Sequence, residues 1–165
     1  MSVPRITPET PAHARGVRAL LLAAFPTPAE ADLVERLRRD GDAAIALVAI
    51  EEGDVAGHIV FSPMQAPMRA LGLGPVAIAP NRQRRGIASD LIRSGLDLAR
   101  AEGWDAVFVL GDPAFYARFG FSTDAASRFA CKYAGPHFMA LALDGRDLRQ
   151  ATGTVVYAPA FDALT

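Results

Sequence analysis

Cysteine and lysine are almost absent from this 165-residue sequence, in which Cys131 and Lys132 are the only residues of their kinds. A single cysteine excludes an intramolecular disulfide and a CxxC metal knuckle, and it gives no sign of an oxidising compartment. The three histidines stand far apart, without the spacing of metal ligands. We therefore expect no metal site and a cytoplasmic location.

Long apolar runs are also missing. No stretch reaches the roughly 18 apolar residues of a membrane span, and residues 1–16 lack the apolar core of a signal peptide. The formal net charge is −1, so no overall positive field attracts nucleic acid or an anionic membrane. The basic run at 82–85 is isolated and has no interleaved aromatic residues. We expect neither nucleic acid nor a membrane as a partner.

The order of periodic segments predicts a single α/β domain spanning residues 1–165. Apolar residues at helical spacing predict helices at 12–25, 29–39 and 87–102, the last ended by Gly103. A short helix is expected to begin after Asp112 as N-cap and to end at Gly120. Apolar runs between turn residues predict strands at 4–7, 43–50, 55–62, 73–79, 106–110, 138–143 and 152–159.

The segment 74–88 runs from a buried strand through a polar turn into the clearest helix of the chain. The first N–H groups of a helix lack intrahelical partners and lie at the positive end of the helix dipole, so this turn can bind a phosphate. Arg84 and Arg85 would add positive charge at its rim. An ordinary strand-to-helix turn, or a solvated basic face, would have the same residues.

Two motifs in this order resemble those of the GNAT family of N-acetyltransferases. The run QRRGIA at 83–88 is similar to the family signature Arg/Gln-x-x-Gly-x-Gly/Ala, and FYARFGF at 115–121 is similar to Tyr-x-x-x-Gly-Phe. The resemblance covers about residues 43–121. It implies an α/β (α+β) fold with a mixed, mostly antiparallel sheet of about seven strands, flanked by helices and with a splayed central parallel pair.

The resemblance also implies acetyl-CoA as cosubstrate and a set of site residues. The strand with Val76, Ala77 and Ile78 would pair with the pantetheine arm, and a backbone N–H near Ile78 would stabilise the oxyanion. Main-chain N–H groups of the turn and helix start would hold the pyrophosphate. That second part of the cofactor site comprises Gln83, Arg84, Arg85, Gly86, Ile87, Ala88 and Ser89.

Tyr116 would be the general acid that protonates the departing thiolate, since charge develops on sulfur as the thioester breaks. The alternative for Tyr116 is a packed aromatic residue among Phe115, Phe119 and Phe121. Asp112 stands where many relatives have an asparagine that contacts the cofactor, and it can equally be only an N-cap.

The general base is not assigned, because the segment 68–78 lacks the glutamate that many relatives use. His58, Glu51 and water are the candidates. The expected function is transfer of an acetyl group to a primary amine, most simply on a small molecule. A protein or peptide amine, or a non-catalytic acyl-CoA sensor, are the alternatives. The acceptor itself cannot be read from the sequence, and a homodimer is possible.

Overall fold

A computed structural model describes residues 2–164 of the chain, with helices and strands close to those that the sequence predicts. The helices are α1 (Ala14–Ala24), α2 (Ala29–Arg39), α3 (Ile87–Ala101), α4 (Pro113–Tyr116) and α5 (Thr123–Ala126). The strands are β1 (Arg5–Pro8), β2 (Ile45–Glu51), β3 (Asp54–Met64), β4 (Ala70–Ile78), β5 (Ala106–Leu110), β6 (Phe129–Ala130), β7 (Phe138–Ala142) and β8 (Gly153–Thr154).

The main sheet has the strand order β1-β2-β3-β4-β5-β7. Every neighbouring pair is antiparallel except β4 and β5, which run parallel and are joined by α3. The predicted mixed, mostly antiparallel sheet with one central parallel pair is thereby confirmed. In the described residues, no helix is long and apolar enough to cross a bilayer.

The end of the chain differs from the prediction. The strand expected at 152–159 forms only as β8, which pairs with β6 in a separate two-stranded sheet, so the main sheet has six strands rather than seven. Beyond β8, Val156 bridges Gln65, and a 3-10 helix follows at Pro159–Leu164. The side chains of this segment do alternate as in a strand, since Val155 and Tyr157 are buried and Val156 is exposed. Both buried side chains belong to the apolar layer that also contains α1 and α2, and Tyr157 packs on Gly72 of β4 instead of extending the sheet.

Two layers of apolar residues cover the two faces of the sheet. Helix α3 covers one face with Ile87, Leu91 and Ile92. Helices α1 and α2 cover the other, together with the C-terminal segment. Each of these helices carries an apolar stripe at the helical period, so packing on the sheet removes that stripe from water.

Strands β4 and β5 separate soon after they begin. They pair only over Ala70–Gly72 of β4, and beyond Gly72 the edge of β4 that faces β5 has no strand partner in the part of the chain that the structure describes. On its other edge β4 stays paired with β3, with a bulge where Gly74 and Pro75 together oppose Val60. A bulge bends the strand that carries it. The splayed parallel pair is confirmed.

Candidate functional site

The separation of β4 from β5 opens a cleft of about 650 Å³ at the carboxyl end of β4. Its walls come from β4, from the turn and first residues of α3, from the α4 region and from the end of α1. The residues that line it are Ala24, Phe25, Val76, Ala77, Ile78, Arg82, Gln83, Arg84, Gly86, Ile87, Ala88, Ser89, Phe115, Tyr116 and Arg118.

Most of the predicted site residues line this one cleft, and Arg85 is the exception. Arg85 is not among the lining residues, and it donates hydrogen bonds from both terminal nitrogens to Glu51, so its charge is paired there. The expectation that Arg85 adds free charge at the rim is not met. The sequence interpretation missed Arg118, whose Nη2 donates to Ser89 Oγ at 3.1 Å from the opposite wall.

The first turn of α3 presents unpaired N–H groups to the cleft. Gly86 precedes the helix in a left-handed conformation with φ of +83° and offers no side-chain cap. The first N–H that bonds back within the helix is that of Asp90, to the carbonyl of Gly86. The N–H groups of Ile87, Ala88 and Ser89 precede that bond, so they are free to bind an anion in the cleft.

Strand β4 contributes the opposite end of the cleft. Val76, Ala77 and Ile78 pair with β3 on one edge, while their other edge faces the opening left by β5. Unpaired main-chain groups on that edge can hydrogen-bond an extended ligand that carries amide groups, in the manner of an added strand. The cleft thus combines a strand edge for an extended ligand with a helix terminus for an anion.

Tyr116 is held at the cleft by close packing. Its ring lies against Gly111, where a Cβ would come within 2.6 Å of Tyr116 Cε2. Edge-to-face contacts with Phe115 and Phe121, at centroid distances of 5.1 and 5.7 Å, fix the ring further. Burial raises the pKa of Tyr116, so its hydroxyl keeps its proton at neutral pH and can serve as a proton donor.

Asp112 caps helix α4, because its side chain accepts a hydrogen bond of 3.1 Å from the N–H of Ala114. It does not line the cleft. The structure thus shows the capping role that the sequence left open.

Neither candidate base lines the cleft. His58 is fully buried under α1 and α2, with its Nε2 2.9 Å from Glu9 Oε1. Glu51 is 4% exposed and bonded to Arg82 and Arg85. Hydrogen bonds from Arg85 and Arg82, opposed by burial, lower the pKa of Glu51 to about 2. A carboxylate with so low a pKa is a poor proton acceptor at neutral pH.

A second cavity, the aromatic recess, is formed by Tyr133, Tyr157 and Phe161 and has a volume of about 360 Å³. The Tyr157 ring contacts both other rings, at centroid distances of 5.5 and 5.0 Å. It also packs on Gly72, the last residue of β4 paired with β5, where a Cβ would come within 2.6 Å of Tyr157 Cε1. The recess therefore lies beside the point where β4 and β5 separate.

The rim and the floor of the recess are polar. Lys132 Nζ lies 3.9 Å from Asp162 Oδ1 at the rim. The buried Tyr157 hydroxyl finds no hydrogen-bond partner within residues 2–164. Within the same residues, no group of three His, Cys, Asp or Glu side chains could hold a metal ion.

Comparison with known proteins gives consistent matches. The model of the acetyltransferase (GNAT) family matches residues 14–121. The chain is 38% identical over 160 residues to the uncharacterized N-acetyltransferase YhbS of Escherichia coli K12, which covers 93% of this chain and 96% of that protein. It is 37% identical over 123 residues to the uncharacterized N-acetyltransferase YjhQ of the same organism, covering 70% of this chain and 67% of that one.

Solved structures of proteins from the same family superpose closely on this chain. The crystal structure of YhbS from E. coli in complex with CoA superposes with a TM-score of 0.90 at 36% identity, covering 96% of this chain and 92% of that one. A GNAT family acetyltransferase from Brucella melitensis in complex with acetyl-CoA superposes with a TM-score of 0.83 at 35% identity, covering 98% and 100% of the two chains.

Proposed function

The chain belongs to the acetyltransferase (GNAT) family, and we propose that it transfers the acetyl group of acetyl-CoA to a primary amine of a small molecule. The observation that carries the proposal is the cleft itself. It brings together a strand edge and three helix-start N–H groups that have no partner among the described residues, and a half-buried tyrosine whose pKa is raised by burial.

Acetyl-CoA fits these features along its length. The pantetheine arm carries amide groups that can pair with the free edge of β4 at Val76 and Ile78. The pyrophosphate suits the N–H groups at the start of α3. Arg84 and Arg118 line the same end of the cleft and can approach the phosphates. Two related proteins in complex with CoA and acetyl-CoA support this assignment.

In the proposed reaction the acceptor nitrogen attacks the acetyl carbonyl carbon, and the carbon–sulfur bond then breaks. The hydroxyl of Tyr116 gives its proton to the departing thiolate, and the phenolate that remains regains a proton from water before the next turnover. Its raised pKa keeps that proton in place until charge develops on sulfur. No carboxylate or imidazole lines the cleft among the described residues, so the amine loses its own proton to water.

The aromatic recess supports a small acceptor with an apolar body. Its three rings form apolar walls around a cavity of about 360 Å³, a volume that suits a small molecule. Lys132 and Asp162 contribute one charge of each sign to its lining, so these two residues give no excess of negative charge that would attract a polycation. A panel of amines with a thiol-release assay tests this choice against a protein acceptor. If the protein is a non-catalytic sensor, no amine in the panel will raise the rate at which free CoA is released from acetyl-CoA.

The replacement Tyr116→Phe tests the proposed acid, because it removes one hydroxyl and keeps the ring that Phe115 and Phe121 contact. We expect kcat to fall by about ten- to a thousandfold, equivalent to ~1.4 to 4 kcal/mol of transition-state stabilisation. The Kd for acetyl-CoA and the melting temperature should stay near the parent values. A folded variant with the parent kcat would instead make Tyr116 a packing residue.

A further inference from the structure

Glu51 links two arginines of the cofactor turn to a distant part of the chain. It is the last residue of β2, and its carboxylate lies 4% exposed at the β2–β3 hairpin. Arg82 Nε donates to Glu51 Oε1 at 2.8 Å, and Arg85 Nη1 donates to the same oxygen at 2.9 Å. Arg85 Nη2 donates to the second oxygen. Both oxygens of one buried carboxylate are thus used to hold the turn.

The two anchored arginines bracket the part of the turn that faces the cleft. Arg82 also reaches Asp54 on the hairpin, with Nη2 3.4 Å from Oδ2. Arg84, between the two, has a φ of +64° and lines the cleft. Its guanidinium forms no hydrogen bond or ion pair with the described residues. Gly86 follows in the left-handed conformation that begins α3.

We propose that Glu51 is a positioning residue for the phosphate end of the cleft, where it holds the guanidinium groups of Arg82 and Arg85 on the hairpin and thereby fixes the turn. Arg84 and the N–H groups of the α3 start then face the cofactor. This inference rests on the proposed binding of acetyl-CoA. It separates the arginines of the turn into two that position the main chain and one that is available to a phosphate.

A positioning role and a purely electrostatic role for Glu51 predict opposite changes in CoA affinity when the carboxylate is removed. If Arg82 and Arg85 were phosphate ligands that Glu51 only weakens, removal of its negative charge would release two cations beside the cleft. The affinity for CoA would then rise. If Glu51 positions the turn, its loss lets the turn and the start of α3 move, and the affinity falls. The sign of the change therefore decides between the two roles.

Glu9 offers a matched control at a different place in the fold. Its carboxylate also lies buried, accepts two hydrogen bonds from Arg38, at 3.0 and 2.9 Å, and lies 2.9 Å from His58 Nε2. None of its hydrogen bonds or ion pairs within residues 2–164 involves the turn at 79–86. Glu51→Gln and Glu9→Gln therefore remove the same charge from similar surroundings, and only the first affects the cofactor turn.

The experiment measures CoA binding by calorimetry and steady-state kinetics for the parent and both variants. We expect Glu51→Gln to raise the Kd for CoA and the KM for acetyl-CoA at least fivefold, with a much smaller change in kcat at saturating acetyl-CoA. Glu9→Gln should leave both constants within twofold of the parent. An unchanged or tighter Kd in Glu51→Gln, or an equal loss in Glu9→Gln, would overturn the positioning role.

Hydrogen exchange of residues 79–86 in the CoA-free protein separates this inference from the proposed function. The amides of the turn should exchange faster in Glu51→Gln than in the parent and Glu9→Gln, whether or not the protein acetylates an amine. Equal exchange would overturn the anchoring. Failure of the parent to bind CoA would overturn the cofactor assignment and the inference with it. Should Glu51→Gln not fold, Arg85→Gln removes one anchor, and faster exchange of residues 79–86 in its CoA-free form is the deciding result, because a weaker affinity for CoA would follow from either role of Arg85.

Discussion

Helix α3 begins and ends at glycines with nearly the same backbone conformation, which allows a controlled test of the phosphate site. Gly86 has a φ of +83° and Gly103 a φ of +80°. An alanine in this left-handed region costs about 1 to 2 kcal/mol. At Gly86 an added Cβ would meet nothing within 4 Å, and at Gly103 it would come 3.3 Å from Arg69 Nη1, which donates to the Gly103 carbonyl and would have to shift by a few tenths of an ångström. The two replacements should therefore cost similar stability.

Only Gly86→Ala should weaken cofactor binding. Gly86 lines the cleft, so its new Cβ projects into the space proposed for the pyrophosphate, whereas Gly103 lies at the far end of the helix. Loss of one charge-assisted hydrogen bond to a phosphate corresponds to about 1.5 to 3 kcal/mol, or roughly a ten- to 150-fold rise in Kd. Both variants should melt about 2 to 8 °C below the parent.

Calorimetric titration of CoA into both variants, together with thermal unfolding, measures the two effects separately. A parent-like Kd for a folded Gly86→Ala would refute the assignment of the phosphate to the α3 start. An equal loss of affinity in Gly103→Ala would show that the helix as a whole, and not its first turn, determines binding.

Two further predictions concern stability. Acetyl-CoA at a hundredfold excess over its Kd should stabilise the folded protein by about 2.7 kcal/mol, and a thermal scan without any rise at millimolar acetyl-CoA would contradict binding. Hydrogen bonds from Arg85 and Arg82 lower the pKa of Glu51 from 4.5 to about 2. Burial raises the pKa of Glu9, but hydrogen bonds with His58 and Arg38 outweigh this effect and lower that pKa from 4.5 to about 2. Their contribution to stability is complete above pH 4.5 and should be lost as the pH falls toward 2. Unfolding in urea across this range should show a shallower loss in Glu51→Gln than in the parent.

The sequence predicts those parts of the fold whose signals are local. The apolar stripe of α3 and its end at Gly103 depend on residues within a few turns of one another, and both predictions are confirmed. The cap at Asp112 is likewise a contact over two residues. The motif at 83–88 predicts most of the cleft lining because its strand, turn and helix adjoin in the chain.

Local sequence patterns do not predict which charged groups pair with each other when the partners are far apart in the chain. Arg85 looks like a rim cation in the sequence, but its partner Glu51 is 34 residues away and comes close only when the hairpin packs beside the turn. His58 looks like a candidate base, but it lies beneath α1 and α2 beside Glu9. The C-terminal strand was predicted too long because the alternation of residues 152–159 shows which side chains are buried and not which element covers them.

The rim of the aromatic recess holds the one lysine of the chain. A thioester can acylate any free amine, so this lysine is the only side-chain amine of the protein that acetyl-CoA can modify. Acetylation of Lys132 would remove the ammonium that lies 3.9 Å from Asp162 and make the rim more negative. An acceptor that binds at the recess, as proposed above, would then meet a neutral amide in place of a cation, so that exposure to acetyl-CoA would alter the charge of the surface that receives the acceptor.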